Sequence, residues 1–190
     1  MAGKKGLRGF ANLRVFPVTT NDSTTYAVGT KVVIPSAVSC SMDRSVQDFT
    51  LYADDGVYDS GSDFQSETLE IVVQELPLDL QAELEGGEYD DETSTYTWGP
   101  EVVAPELAVG FSALQRDGGY LMVQYYSCRV SSIQVEYNTK GSSQDGSPYT
   151  ITLQASTRVA DGALFRKSEC AGKSGLTWLD TVDTLPVSEG

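Results

Sequence analysis

Carboxylates are the side chains with which this chain is best supplied for chemistry, and they are unevenly placed. Between Ser45 and Gln115 the sequence holds seventeen of them and no Lys or Arg. Within that stretch Asp54, Asp55, Asp59 and Asp63 lie close enough in sequence to suggest a calcium cradle. The order Ala53-Asp-Asp-Gly-Val-Tyr-Asp-Ser-Gly-Ser-Asp63 lacks the ligand spacing of an EF-hand loop and its closing bidentate Glu. A solvated, turn-rich loop is therefore the favoured reading of residues 53–65. A glycoside hydrolase needs only two carboxylates, one as acid and one as base or nucleophile, but nothing here marks two of the acids as a pair. Asp90-Asp91-Glu92 reads as a charged loop.

What is missing excludes more. The sequence has no histidine, which removes the commonest general base, the Ser-His and Cys-His nucleophile systems and the commonest transition-metal ligand. Cys40, Cys128 and Cys170 are far apart with no CxxC among them, against both a disulfide framework and a zinc site; they read as buried, reduced thiols. Gly3, Gly6 and Gly9 lack the spacing of a phosphate loop. Trp98, Trp178 and the Tyr125-Tyr126 pair read as core or interface aromatics, since no basic groove surrounds them. No enzymatic activity, metal or cofactor is expected.

Charge bounds the partners. Thirteen bases against twenty-seven acids give a net charge of −14, which opposes direct attraction to nucleic-acid phosphates. The imbalance is local: residues 1–44 carry six bases and two acids, and 116–190 carry seven and eight.

The elements that must position these groups are mostly strands. At 190 residues and 40% hydrophobic content the chain is expected to form one domain, residues 1–190, with a real core. No apolar run approaches the roughly 18 residues of a membrane span. The N-terminus has no apolar stretch behind its basic start, so it does not read as a signal peptide. Period-two alternation places Tyr149, Ile151, Leu153 and Ala155 on one face against Thr150, Thr152, Gln154 and Ser156. Ile133, Val135 and Tyr137 oppose Ser132, Gln134 and Glu136; Leu69, Ile71 and Val73 oppose Glu70 and Gln74, with Val72 as the exception. Strands are also expected over Arg14–Val18, Lys31–Thr50 with a break at Pro35, Leu107–Leu114 and Tyr120–Val130, the last two joined at Gly118-Gly119. The stretch Leu76–Gly86, with Pro77 at its start and Gly86 at its end, reads as a short amphipathic helix over about 77–85. A second short helix is expected around Leu176–Val182, and loops over residues 53–65 and 85–100. Half-buried alternation of this kind predicts a mainly β, antiparallel sandwich or barrel with one flanking helix.

Several segments, taken in order, resemble the major tail proteins (tail-tube proteins) of long-tailed bacteriophages. They are Lys5-Gly-Leu-Arg-Gly-Phe10, Leu51-Tyr-Ala-Asp-Asp-Gly-Val-Tyr58 and Leu69-Glu-Ile-Val-Val-Gln-Glu-Leu-Pro-Leu-Asp-Leu80. Ala108-Val-Gly-Phe-Ser-Ala-Leu-Gln115, Gly119-Tyr120 and Glu136-Tyr-Asn-Thr-Lys-Gly141 follow. The resemblance covers most of the chain and is weakest over 87–100 and 159–175.

The resemblance implies a compact sandwich that assembles into six-membered rings, stacked into a hollow tube through which viral DNA passes without specific binding. It implies an N-terminal arm over about 1–12 and an inter-ring loop over about 52–65, with Tyr52, Ala53, Asp54, Asp55, Gly56, Val57 and Tyr58 at the ring contact. Lys4, Lys5, Arg8 and Arg14 are the basic partners expected for those acids. Alternation adds Asp43, Glu70, Gln74, Gln134 and Glu136 as lumen-facing residues. The implied partners are further copies of the chain, a tape measure protein, a tail terminator and distal tail proteins, with no membrane. The implied location is the virion tail, assembled in the host cytoplasm. Two alternatives stand beside this: a tube subunit of a contractile tail or secretion-like injection system, and a calcium-stabilised adhesion or carbohydrate-binding sandwich.

Overall fold

A computed structural model describes residues 6–53, 56–137 and 147–185. In chain order the first strands are β1 (Leu7–Asn21), β2 (Tyr26–Val28), β3 (Val32–Val33), β4 (Ala37–Ala53) and β5 (Gly56–Val73). Helix α1 (Leu78–Glu85) follows, then β6 (Glu88–Asp90) and β7 (Thr95–Thr97). The chain continues through β8 (Leu107–Gln115), β9 (Tyr120–Val135), β10 (Tyr149–Ser156) and β11 (Phe165–Cys170) to a 3-10 helix over Lys173–Asp180. Among the described residues one antiparallel sheet runs β2-β1-β8-β9-β10-β5-β4, with β3 paired to β1 and β11 to β9. The strands β6 and β7 form a separate hairpin. The mainly β, antiparallel architecture read from the alternation is the one observed. No helix of the described residues is long and apolar enough to cross a membrane.

The alternation over 69–73 and 149–156 does what it predicts, whereas Tyr137, expected to share the inward face of Ile133 and Val135, is exposed. Leu69, Ile71, Val73, Ile151, Leu153 and Ala155 turn inward and join Leu13, Val15, Leu107, Val109, Phe111 and Tyr125 in one core. Strand β1, next to the β2 edge, approaches the opposite edge strand β4, so the sheet curls over this core. Beside it lies α1, with Ala82 and Leu84 buried, and Leu76 buried just ahead of it. Its C-terminus is closed by Gly86 at φ 79°, whose N–H donates to Ala82 O at 2.7 Å; only Gly takes this left-handed position without strain.

Strand β8 is buried on both faces, and its second cover comes from the C-terminus. Ala108 packs with Phe16, Tyr26, Tyr126 and Val182 in a smaller cluster. Gly110 lies where an added Cβ would come within 3.4 Å of Leu179 on the 3-10 helix. Cations clasp the segment in place. Arg158, 5% exposed, stands 4.1 Å from the Tyr126 ring and 5.2 Å from that of Tyr26. It donates to both carboxylate oxygens of Asp161, at 2.9 and 2.5 Å, and to Asp183 O at 3.0 Å. Arg166 lies over Trp178 and reaches Thr181 O and the Asp183 carboxylate. Asp180 accepts from Arg14 and Lys31, each at 2.6 Å.

Three expectations are corrected. Of the expected loop over 53–65, residues 53 and 56–65 are strand, because β4 and β5 stay paired from Ala37↔Val73 to Ala53↔Gly56. The composition Asp-Ser-Gly-Ser-Asp has low strand propensity, but the ladder to β4 holds it extended, and the Phe49 ring fills the space beside Gly61. Of the expected arm over 1–12, residues 7–12 are the first part of β1, paired to β8 from Leu7↔Gln115 to Ala11↔Ser112. Register shifts in this pairing accompany Gly9 at φ 90° and Asn12 at φ 59°. Residues 85–100 are not all loop, since β6 and β7 pair there around a turn in which Asp90 accepts from Glu92 N and Thr93 Oγ1.

The Arg158 clasp makes a pH prediction. The Arg158 hydrogen bonds, joined by one from Ala163 N–H, hold the Asp161 carboxyl down at about 2. A depressed folded-state value contributes stability that is present above the ordinary Asp value of about 4 and is lost as pH falls toward 2. Thermal unfolding followed from about pH 5 to pH 2 should therefore show a shallower loss of Tm in Asp161→Asn than in the native chain. Parallel curves would place the acid-sensitive group elsewhere.

Candidate functional site: a projecting ribbon and a polar sheet face

Strand β5 is longer than the strand beside it. Its pairing with β10 runs from Val73↔Tyr149 to Glu67↔Ala155 and ends. Its pairing with β4 continues through Ser45↔Ser66, Phe49↔Gly61 and Leu51↔Asp59 to the tip. Beyond Glu67 the sheet is thus reduced to a two-stranded ribbon, a unit that is marginally stable at best in water. At 3.3 Å per residue, the nine residues from Ser45 to Ala53 project about 30 Å.

The ribbon is apolar on both faces and acidic. Val46 faces Phe64 across the strands, and these residues are 51% and 41% exposed. Three residues along, on the other face, Phe49 lies over Gly61, with Leu51 next on that side. Exposed Tyr58 lies near the tip. Asp48, Asp59 and Asp63 are exposed, and no base lies between Arg44 and Arg116 to offset them.

At the neck, where β10 stops, a polar cluster begins. Glu67, 3% exposed, accepts from Arg44 Nε at 2.7 Å and Nη2 at 2.6 Å, and from the Tyr125 hydroxyl. That hydroxyl also meets Met42 Sδ at 3.1 Å. Burial, then the Glu67 carboxylate, pushes the Tyr125 phenol far above its ordinary range, so it remains a donor. Arg44 lies 5.5 Å from the ring centroid of Phe165, which packs against Tyr125.

Below the neck, the outward face of β4-β5-β10-β9 is polar along three rungs, with Val72 the exception. One rung is Ser41–Glu70–Thr152–Ser132, the next Asp43–Thr68–Gln154–Arg129, and a third Ser39–Val72–Thr150–Gln134. Paired residues share a face, so hydroxyls and amides dominate. The three charges are Asp43, Glu70 and Arg129, the last bonded to Ala104 O at 3.2 Å and Glu106 at 3.4 Å.

Of the lumen residues expected from the sequence, Asp43, Glu70 and Gln134 share this one face. Gln74 and Glu136 are exposed one residue beyond the Val73–Tyr149–Val135 rung, at the same end of it. The ring-contact set falls at the ribbon tip. Gly56 and Tyr58 are exposed there, Tyr52 pairs with Val57 and Ala53 with Gly56, and Asp54 and Asp55 lie outside the described residues. Among the expected basic partners, Arg8 is exposed on β1, and Lys4 and Lys5 lie outside the described residues. Arg14 is corrected: it is engaged within the chain by Asp180 and Leu176 O. The calcium cradle gains no support from Asp59 and Asp63, which are four residues apart on one extended strand and so about 13 Å from each other.

Sequence reasoning passed over the ribbon's apolar side chains and Glu67. A signal existed for both. Val46, Phe49 and Leu51 break the period of two and so cannot share one buried face, and Glu67 continues the inward series of Leu69, Ile71 and Val73.

The remaining candidates for chemistry are engaged in structure. In a cleft of about 380 Å³ lined by Gln115, Asp117, Glu169 and Cys170, Gln115 donates to Glu169 and Asp117 caps the turn at Gly119 N. The three cysteines are free thiols; burial raises that of Cys128 and pushes Cys40 up to about 12. Among the described residues no group of three or more Cys, Asp or Glu is placed to hold a metal ion.

No known family model matches this chain. No curated protein sequence matches it either. A solved structure does: the cryo-EM structure of the anti-feeding prophage cap (AFP tube terminating cap), with TM-score 0.50 and 10% identity, over 90% of this chain and 95% of that one. At that identity the likeness is one of fold, and it extends over nearly the whole of both chains.

The ribbon should be dispensable to the body. Phe64→Ser is expected to change the stability of the unassembled chain by less than about 1 kcal/mol, whereas Leu69→Ala, at a fully buried position, should cost about 2–5 kcal/mol. Denaturant unfolding at low protein concentration measures both. Equal losses would mean that the ribbon is folded back onto the core.

Proposed function

We propose that this chain is a structural subunit of a phage-type tail tube: a major tail tube protein forming six-membered rings that stack into a hollow conduit. The observation that carries this reading is the ribbon, which leaves apolar side chains and strand edges uncovered in a chain sharing its fold with a tube terminating cap. Exposed apolar ribbon surface and open strand edges are liabilities in a monomer, and ring formation with stacking covers both. In the assembly the ribbon and its tip, from Tyr52 to Tyr58, reach a neighbouring ring. Arg8, with Lys4 and Lys5, supplies the facing positive charge.

The polar face supplies the conduit wall. Six copies bring Asp43, Glu70, Gln74, Gln134 and Glu136 around the channel, among hydroxyls from β4, β5, β10 and β9. Such a wall offers DNA few cationic contacts, so passage does not depend on breaking the counterion-releasing bonds that hold nucleic acid to basic surfaces. The screening length is roughly 8 Å at physiological salt, so only carboxylates near the moving phosphates act on them. Arg129 lies on the same face, and its bonds to Glu106 and Ala104 O draw its charge toward its own subunit. A tape measure protein, a tail terminator and distal tail proteins complete the set of partners, and the virion tail is the location.

A second reading has its own support, because a solved structure of similar fold is a tube terminating cap. In it the chain closes the end of a tube, in a phage tail or an injection system, instead of repeating along it. The two readings separate on one experiment. Negative-stain electron microscopy of the concentrated chain should show tubes for a repeating subunit and single rings for a cap. Val46→Asp combined with Phe64→Asp should leave circular dichroism unchanged and abolish tubes. Monodisperse monomers of the native chain, with and without a preformed tube end added, would overturn both readings.

A further inference from the structure

The strand that would fix the ribbon's direction stops where the ribbon starts. On one side of β10, Ala155 pairs with Glu67; on the other it pairs with Cys128 of β9. Beyond that rung β10 reaches only Ser156↔Ser127, and β11 takes its place along β9 from Phe165↔Tyr125 with its pairing to β9 and not to β5, so side chains link β5 to β9. Glu67 on β5 joins Arg44 on β4 to Tyr125 on β9, and Arg44 and Tyr125 both pack on Phe165 of β11. Immediately beyond, the β4–β5 register shifts between Ser45↔Ser66 and Val46↔Phe64, leaving Gln65 as an extra residue. A bulge bends a strand and raises its local twist. The last fixed rung and the buried carboxylate thus share one position, Glu67, and the bulge lies two residues further along β5.

We propose that Glu67, Arg44 and Tyr125 are positioning residues that lock the ribbon at one angle to the body, with the Gln65 bulge as the pivot they restrain. Apolar side chains at the neck would fill the same space without direction. Glu67 instead accepts two bonds from Arg44 and one from Tyr125, which fix the orientation of β4 and β5 against β9 and β11. Buried ionic groups of this kind contribute specificity of arrangement more than net stability. A ribbon held at its docking angle loses less conformational freedom when it binds. The lock belongs to the single chain and stands whether or not the tube reading does.

Hydrogen exchange measured by mass spectrometry on the dilute, unassembled chain tests it. Glu67→Gln keeps the side-chain shape and weakens the pairing with Arg44; Tyr125→Phe removes one hydroxyl and keeps the ring. In Glu67→Gln, amides of residues 45–53 and 56–66 should exchange at least about tenfold faster, while the paired parts of β9 and β10 keep their protection. Tyr125→Phe should give a smaller increase in the same segments. Arg44→Lys, which retains charge but not the two-pronged geometry, should fall between the native chain and Glu67→Gln. Unchanged ribbon exchange in Glu67→Gln would overturn the proposal. So would an equal rise in β9 and β10, since the cluster would then serve the core and not the ribbon's angle.

Discussion

Everything distinctive about this chain depends on a mismatch of strand lengths. The β4–β5 pairing outlasts the β5–β10 pairing, so the sheet passes abruptly from a curled, covered body to a bare ribbon. Within the body each strand has neighbours on both sides, or a core beneath it. In the ribbon neither holds, and Val46, Phe49, Leu51 and Phe64 stay in contact with water. Other apolar side chains, such as Val103 and Trp98, are exposed elsewhere, but on the ribbon they lie on a two-stranded unit with no core beneath it.

Charge is distributed by the same division. Several of the bases outside the acidic stretch are engaged within the chain. Arg14, Lys31, Arg158 and Arg166 tie the C-terminal segment over β8, and Arg44 closes the neck. The acids between Ser45 and Gln115 find few such partners, and most remain in solvent on the ribbon, α1 and the β6–β7 hairpin. The net charge of −14 is thus a property of the exterior, where it disfavours nonspecific contact.

The polar face shows how limited the role of acidity is at the proposed wall. Ser39, Ser41, Thr68, Thr150, Thr152 and Ser132 occupy half of its three rungs, with Asp43 and Glu70 the two carboxylates. The face is more hydroxylated than charged. Its regularity follows from period-two alternation, since the residues that give β5 and β10 a buried side necessarily give them a continuous polar one.

Much of this was legible before any coordinates. Alternation in 149–156 and 69–73 fixed two strands and their inward residues, Pro77 and Gly86 bounded the helix, and Gly118-Gly119 marked the β8–β9 turn, because each of these signals is local. Residues 56–65 read as loop, since Asp, Ser and Gly favour turns when judged alone and only the cross-strand ladder, with Phe49 set over Gly61, makes them extended. Arg14 looked like a free basic partner because nothing in the sequence connects it to Asp180, 166 residues away. The same holds for Glu67: its inward position was implied by Leu69 and Ile71, but its bonds to Arg44 and Tyr125 required three strands to meet. By itself the sequence determined the class of fold, the absence of histidine-based chemistry and the acidic middle of the chain, all of which depend on composition and short-range period. The tertiary structure alone decided where β10 ends against β5, and hence where body gives way to ribbon, because that boundary is a long-range register that no local pattern encodes.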